Sequence, residues 1–353
     1  MLANCSSLLS SIGRGLLFLY VSCALVNAGA QDNEQKLQQS VRSKHQDFQA
    51  NNALGEFYAK RGNYTEAIRY LEAAYKLKPA DTNNAFDLAQ AELQAGDAGR
   101  ARALLQNLLS SHDTPEVHNL LGDCEEALGN FREAANQYQI AARADPSESN
   151  LFSFGSELLK HGAYPEALQI ISFAANRYPQ SARLRVALGV AQYSLRQYQE
   201  AVATLCAAVD MNPADTRPFE FLGKMVGVAP ELSGEVSARL KQFAAAYPKN
   251  PTANYFYAMS LLGEPNAQLD LPRSLLERSV AEAPSYAEAH FQLGNIYDEQ
   301  GDTNRAITEF ETAIRLKPDW KSAHYHLAQL YRKAGKPQLA AREYEAVKNA
   351  SDR

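Results

Sequence analysis

The sequence predicts an all-α protein, an α-α superhelix (solenoid) of about nine tandem helical hairpins, and three observations carry that expectation. A proline recurs every 33 to 36 residues, at Pro79, Pro146, Pro179, Pro213, Pro248, Pro284 and Pro318, with Asp113 filling the one gap. Inside each period an alanine recurs at Ala67, Ala101, Ala134, Ala167, Ala201, Ala306 and Ala340, and a glycine stands five residues before most of them, at Gly62, Gly96, Gly129, Gly162, Gly301 and Gly335. Strand-like alternation of Val, Thr and Ile is almost absent after residue 30, whereas apolar residues fall at helical spacing, as in Leu293, Ile296, Tyr297 and then Ala306, Ile307, Phe310, Ile314.

The first thirty residues stand apart. Arg14 precedes an apolar run from Leu16 to Val26, which is followed by Ala28-Gly29-Ala30 and the polar stretch Gln31-Asp32-Asn33-Glu34. This is the anatomy of a cleavable export signal over 1–30, with small residues where a signal peptidase needs them and cleavage expected after Ala30. The run is shorter than the ~20 residues of a spanning helix, so no stable membrane insertion is expected after cleavage. A lipid-modified Cys23 is disfavoured, because Tyr20 occupies a place where such sites usually have leucine. Residues 31–47 are polar, with Leu37, Val41 and Phe48 on one face, and suit a capping helix.

The repeats follow over 48–81, 82–114, 115–147, 148–181, 182–215, 216–249, 250–286, 287–320 and 321–353. Glycine between the two helices can take the left-handed conformation that ends the first one. The alanine near the start of the second helix lets the pair approach closely, and the proline stops that helix. Another small residue recurs in the first helix, at Gly55, Ala89, Gly122, Gly155, Gly189, Gly223, Ser260, Gly294 and Ala328. Glycine inside a helix costs ~1 kcal/mol against alanine, so its recurrence implies contact with a partner helix. Two periods depart from the pattern. In 216–249 Pro230 opens the second helix and the central alanine is missing; in 250–286 Gly263-Glu264-Pro265 lengthens the hairpin connection and Pro272 stands where alanine belongs.

These periods resemble tetratricopeptide repeats, most closely in the eighth copy, which reads Leu293-Gly294, Tyr297, Ala306, Phe310, Ala313 and Pro318. The resemblance covers roughly residues 48–353 and implies stacked helix pairs whose stability is a sum of repeat and interface contributions. It also implies a scaffold or adaptor that holds a protein or peptide ligand in a concave groove. Some members of the family clamp an acidic carboxyl-terminal peptide with Lys and Asn on one first helix, Asn on the next, and Lys and Arg on the third. Here the corresponding places hold Asn52 and Glu56, Phe86 and Gln90, Asn119 and Asp123, or Phe152 and Ser156, so that mode is not expected.

Catalytic motifs are lacking: no phosphate loop, Cys-x-x-Cys pair, His-Glu-x-x-His or Gly-x-Ser-x-Gly occurs, and no enzyme activity, cofactor or metal is expected. His324 and His326 point about 200° apart on a helix and cannot readily share an ion. His290 and His324 occupy equivalent places and read as packing residues, while Cys124 and Cys206, 82 residues apart, read as buried hydrophobes and not a disulfide pair. With 35 Lys plus Arg against 40 Asp plus Glu and no basic run, nucleic acid is not an expected partner. The alternative to a scaffold is an exported enzyme or an accessory component of an envelope-assembly or glycan-processing complex, although the repeats leave no stretch for an added catalytic domain. The setting expected is the bacterial periplasm or the extracellular space; the oligomeric state is not legible.

Five aromatic residues of the first helices, Phe86, Phe152, Tyr193, Phe291 and Tyr325, are left over once Leu88, Phe154, Leu188, Leu293 and Leu327 have packed the hairpins. They are the candidate peptide-binding residues, because aromatic anchors dominate many interfaces. The competing reading is that each pads the junction with the next repeat.

Overall fold

The computed structural model describes residues 33–349 except 265 and 266, so the expected export signal lies outside the described residues. Among the described residues every regular element is helical. The chain divides into two compact units, Met1–His161 and Gly162–Arg353. The division falls between the two helices of the fourth period, consistent with an array in which each repeat contacts only its neighbours.

The first unit contains α1 (33–43), α2 (Phe48–Lys60), α3 (Tyr64–Leu77), α4 (Thr82–Gln94), α5 (Ala98–Leu109), α6 (Pro115–Ala127), α7 (Phe131–Ala144) and α8 (Glu148–Lys160). Helices α2 and α3, α4 and α5, and α6 and α7 pair as hairpins, and each second helix packs on the first helix of the next period. The first helices α2, α4, α6 and α8 also touch in sequence, forming one continuous face. Leu37 and Val41 of α1 pack on the opening hairpin, where Leu54 and Leu71 are fully buried. Each such leucine contributes roughly 2 kcal/mol through removal of its surface from water.

The second unit contains α9 (Tyr164–Arg177), α10 (Ala182–Ser194), α11 (Tyr198–Met211), α12 (Arg217–Val228), α13 (Ser233–Ala246), α14 (Pro251–Leu262), α15 (Asp270–Glu282), α16 (Ala287–Glu299), α17 (Thr303–Leu316), α18 (Lys321–Lys333) and α19 (Pro337–Asn349). Pairing follows the same rule for α10 with α11, α14 with α15, α16 with α17 and α18 with α19. The sixth hairpin differs. A 3-10 turn over Pro230–Leu232 leads into α13, and α12 rests on α14 as closely as on its own partner. Consequently a Cβ on Gly223 would meet the Phe256 ring of α14 at 2.2 Å, not a residue of α13. In the seventh, residues 263–269 separate the helices, where three residues suffice in the first two hairpins.

Local chemistry accounts for the boundaries. Asp47, Asp81, Asp97 and Asp302 cap the helices that follow them, each accepting a backbone N–H through its side chain. Pro115, Pro251 and Pro337 sit at first-turn positions, where the missing N–H costs nothing. The recurrent alanines from Ala67 to Ala340 are buried, and a Cβ on Gly55, Gly122 or Gly189 would lie 2.6 Å from Leu71, Tyr138 or Leu205 of the partner helix.

At Gly96 the backbone has φ +91°, in the left-handed region, and the other five interhelical glycines share that sign. The fifth hairpin has no glycine there: Arg196 adopts φ 60°. A non-glycine residue in this conformation costs roughly 1–2 kcal/mol, part of which glycine returns through the entropy of the unfolded chain. Arg196→Gly should therefore stabilise the α10–α11 hairpin by about 0.5–1 kcal/mol. Slower amide exchange across 190–200 is the expected readout; unchanged or faster exchange would refute it.

Candidate functional site

The face made by the first helices of the first unit carries a cleft of about 940 Å³, contributed mainly by α2 and α4 and closed by the segment from His112 to Glu116. Phe86, Asp87, Gln90 and Gln94 enter from α4, Glu56 and Lys60 from α2, and Glu116 from α6. Leu88 and Ala89 point the other way and are buried, so the 3.6-residue period alone decides which side of α4 faces the cleft.

The cleft is acidic. Glu56, Asp87 and Glu116 line it against one lysine, and Lys60 is already occupied by Glu56, its Nζ lying 3.4 Å from Oε2. Glu56 also accepts a hydrogen bond from Asn52 Nδ2 at 2.7 Å, which holds the carboxylate in place. Asp87 has its carboxyl pushed above the usual range, first by burial and then by the charge of Glu56, with Lys60 opposing. A cationic group entering the cleft would relieve that strain on the ionised form. Phe86 is half-buried and offers apolar surface beside these acids.

Of the five aromatic candidates, Phe86 lines this cleft. Phe152 is half-buried on α8, in the same unit. The other three belong to the second unit. Tyr193 packs its ring on Tyr198 and edge-on to Phe221, with centroids 5.8 and 5.3 Å away. Phe291 stacks on Trp320 at 4.5 Å and meets Phe310 and His326 edge-on, in the seam between the last two hairpins. Tyr325 is the most exposed of the set, 47 % accessible, and its ring edge touches His326 and Tyr344. The candidates are therefore distributed over both units. Sequence reasoning placed Phe86 on this face but passed over Asp87 beside it, since one acid among many in a helical stretch carries no signal until the cleft collects it with Glu56 and Glu116.

The polar residues of the first turns are structural. His324 engages both ring nitrogens, Nδ1 with Glu343 Oε2 at 2.6 Å and Nε2 with the Pro318 carbonyl at 2.8 Å. His290 repeats the arrangement with Glu309 and Pro284. Asn84 donates to Asn52 at 2.8 Å and Asn119 to Asn150 at 2.5 Å, linking neighbouring first helices. Cys124 and Cys206 are buried free thiols, and burial pushes Cys124 up to about 12, far from a reactive thiolate.

Comparison with known proteins agrees with this architecture. Family models described as tetratricopeptide repeat match residues 58–124, 152–216 and 275–308, and one described as TPR repeat matches 294–335; between them they span more than half of the 353 residues. A TPR repeat-containing protein of Methanocaldococcus jannaschii is 33 % identical over 82 residues, covering 23 % of this chain and 26 % of that protein, so the match spans about a quarter of its length. Among solved structures, a tetratricopeptide repeat protein from Parabacteroides merdae aligns with a TM-score of 0.51 at 16 % identity, over 80 % of this chain and 98 % of its own. The C-terminal part of a TPR repeat-containing protein from Cytophaga hutchinsonii aligns with a TM-score of 0.50 at 17 % identity, over 80 % and 99 %. Among the described residues no helix is long and apolar enough to cross a membrane.

Proposed function

Since the chain belongs to the tetratricopeptide-repeat family, we propose that it is a binding scaffold whose first-helix face in the first unit takes an extended peptide segment carrying a lysine or arginine beside an apolar residue. One observation carries this reading: Phe86 shares the cleft with Glu56, Asp87 and Glu116, and the single lysine there is already paired with Glu56. A basic side chain would meet carboxylates with little competing charge, and the neighbouring apolar residue would cover the Phe86 ring. Anchors of this kind carry most of the energy in protein interfaces. An acidic peptide tail would meet repulsion instead.

Fluorescence anisotropy with labelled hexapeptides, one set containing Arg and Leu and a matched set containing Glu and Leu, tests the proposal. The basic set should bind and the acidic set should not. Phe86→Ser should weaken binding on the order of tenfold or more, equivalent to about 1.4 kcal/mol or more. Asp87→Asn should weaken it less, and binding should fade as pH drops through the raised Asp87 carboxyl range, because the protonated form loses its attraction for the cation. Equal binding of the two sets, or indifference to Phe86→Ser, would overturn the assignment.

The leader over 1–30 belongs to the same proposal, placing the scaffold in the periplasm or outside the cell. Exported protein should begin at Gln31 on N-terminal sequencing. Protein beginning at Met1, or lipid on Cys23, would count against it.

A further inference from the structure

Beside the interhelical glycines Gly129 and Gly162, three side chains of the first unit converge: Glu126 of α6, Glu157 of α8 and His161, the residue that caps α8. His161 Nε2 lies 3.1 Å from Glu126 Oε2 and 3.4 Å from Glu157 Oε1. Glu157 and His161 are four residues apart, hence on one face of the helix.

Glu157 is the anomaly. It stands two residues after the recurrent small residue of its first helix, a place held in the other eight periods by Phe57, Ala91, Cys124, Ala191, Met225, Leu262, Ile296 and Leu330. Six of those eight are at most 2 % exposed, so this is a core position, and Glu157 is itself only 5 % exposed. The other two buried glutamates of the unit each face an arginine: Glu92 has Arg100 Nη2 at 2.8 Å, and Glu125 has Arg102 at 3.6 Å and accepts from Asn130 at 2.7 Å. Oε1 of Glu157, like Oε2 of Glu92, has no hydrogen-bond partner, but Glu157 faces no arginine: its Oε1 is aimed at the His161 imidazole, 3.4 Å from Nε2. A buried carboxylate oxygen without a donor costs about 1–3 kcal/mol or more and calls for an explanation.

We propose that Glu126, Glu157 and His161 form a site for a divalent transition-metal cation of the Zn²⁺ class. Zn–N and Zn–O bonds of about 2.0–2.1 Å at tetrahedral angles set neighbouring ligand atoms roughly 3.3–3.4 Å apart. The two separations from His161 are close to that, and the three ligand atoms all lie within 4.8 Å of one another. Two carboxylates, one of them shared with Lys160, supply the negative charge for a divalent ion, and the imidazole favours a borderline cation over Mg²⁺ or Ca²⁺, which prefer oxygen alone. The surroundings orient the ligands. Lys160 donates to Glu126 Oε1, which leaves Oε2 for the metal, and the Phe131 ring stacks on the imidazole at a centroid distance of 3.9 Å. Three protein ligands leave a fourth position for water or for a donor from another molecule.

The test is isothermal titration of the untagged, chelator-treated full chain with ZnCl₂, paired with Co²⁺ absorption spectroscopy. One saturable equivalent per chain is expected, together with the visible ligand-field bands of a low-symmetry four-coordinate Co²⁺. His161→Ala and Glu126→Gln should each weaken uptake at least tenfold while leaving the far-ultraviolet circular dichroism unchanged, since both side chains are partly exposed. Glu157→Gln should do the same, and the other two variants decide the matter if it does not fold. Absence of one-to-one uptake would overturn the proposal, as would uptake that survives both His161→Ala and Glu126→Gln. The second result would mean that His161 is only an ion-pair partner for two carboxylates and that the metal binds elsewhere.

Discussion

Gly122→Leu should destabilise the hairpin of α6 and α7 by roughly 3 kcal/mol, the largest loss expected from a single substitution in the first unit. A Cβ at this position would lie 2.6 Å from Tyr138 Cε1 and 2.8 Å from Cδ1 and Cζ, well inside contact distance. The ring cannot swing away: it is 6 % exposed, and its hydroxyl donates to Asp123 Oδ1 at 2.6 Å. The added leucine must therefore separate the two helices. The better helix propensity of a non-glycine residue, at most ~1 kcal/mol, does not offset that. Because each repeat couples to its neighbours, protection should fall first across α6 and α7 and survive longer in α2 and α3. Gly99→Ala is the control: a Cβ there meets only Asp97 Oδ1 at 3.9 Å, and substitution should be neutral or mildly stabilising. Denaturant unfolding with hydrogen exchange measures both. Equal stability of Gly122→Leu and the parent would show that the close approach is not required.

The period that makes this substitution costly is also what made the fold legible. Gly122, Ala134 and Tyr138 mark one hairpin contact, and the same contact returns at Gly55 with Leu71, Gly189 with Leu205 and Gly294 with Phe310. Repetition turns weak local preferences into a strong statement about architecture. It fails where the repeat itself fails: Gly223 keeps the sequence marker of a hairpin contact, yet Pro230 delays the second helix through a 3-10 turn and the glycine packs on Phe256 of α14 instead. The aromatic candidates were less legible for a related reason. A first-helix ring on the spare face can turn to solvent or to the next hairpin, and one residue of helical rotation separates the outcomes. Phe86 and Tyr325 keep surface on their own helices, whereas Phe291 is covered by Trp320. Glu157 could have been noticed in the sequence alone, as the single polar residue in a column of nine otherwise apolar ones with a histidine four places on. What the sequence lacked was Glu126, brought alongside by the packing of α6 and α8 and not by proximity in the chain.

Glu157→Met should stabilise the metal-free protein by about 1–3 kcal/mol, the cost of a buried carboxylate oxygen left without a hydrogen-bond donor. Methionine has a comparable length, is flexible enough to fill an irregular gap, and restores the apolar character that the column has elsewhere, as at Met225. The effect should depend on pH in a defined direction. Burial, and then the charge of Asp123, push the Glu157 carboxyl above its ordinary range. The folded state thus takes up a proton at higher pH than the unfolded chain, whose glutamate titrates near ~4.3. The penalty is fully present above the folded pKa and is relieved as pH falls from there towards the unfolded value, so the advantage of Glu157→Met should shrink over that interval and be largest at neutral pH. Zn²⁺ should reverse the order: saturating metal raises the melting temperature of the parent, which binds it only when folded, and leaves Glu157→Met unchanged. Chemical denaturation at neutral and acidic pH, with and without ZnCl₂, distinguishes the possibilities. Loss of stability in Glu157→Met at neutral pH would mean that the carboxylate makes a favourable contact in the folded protein, and the explanation of its burial as a ligand held ready for a cation would fall with it.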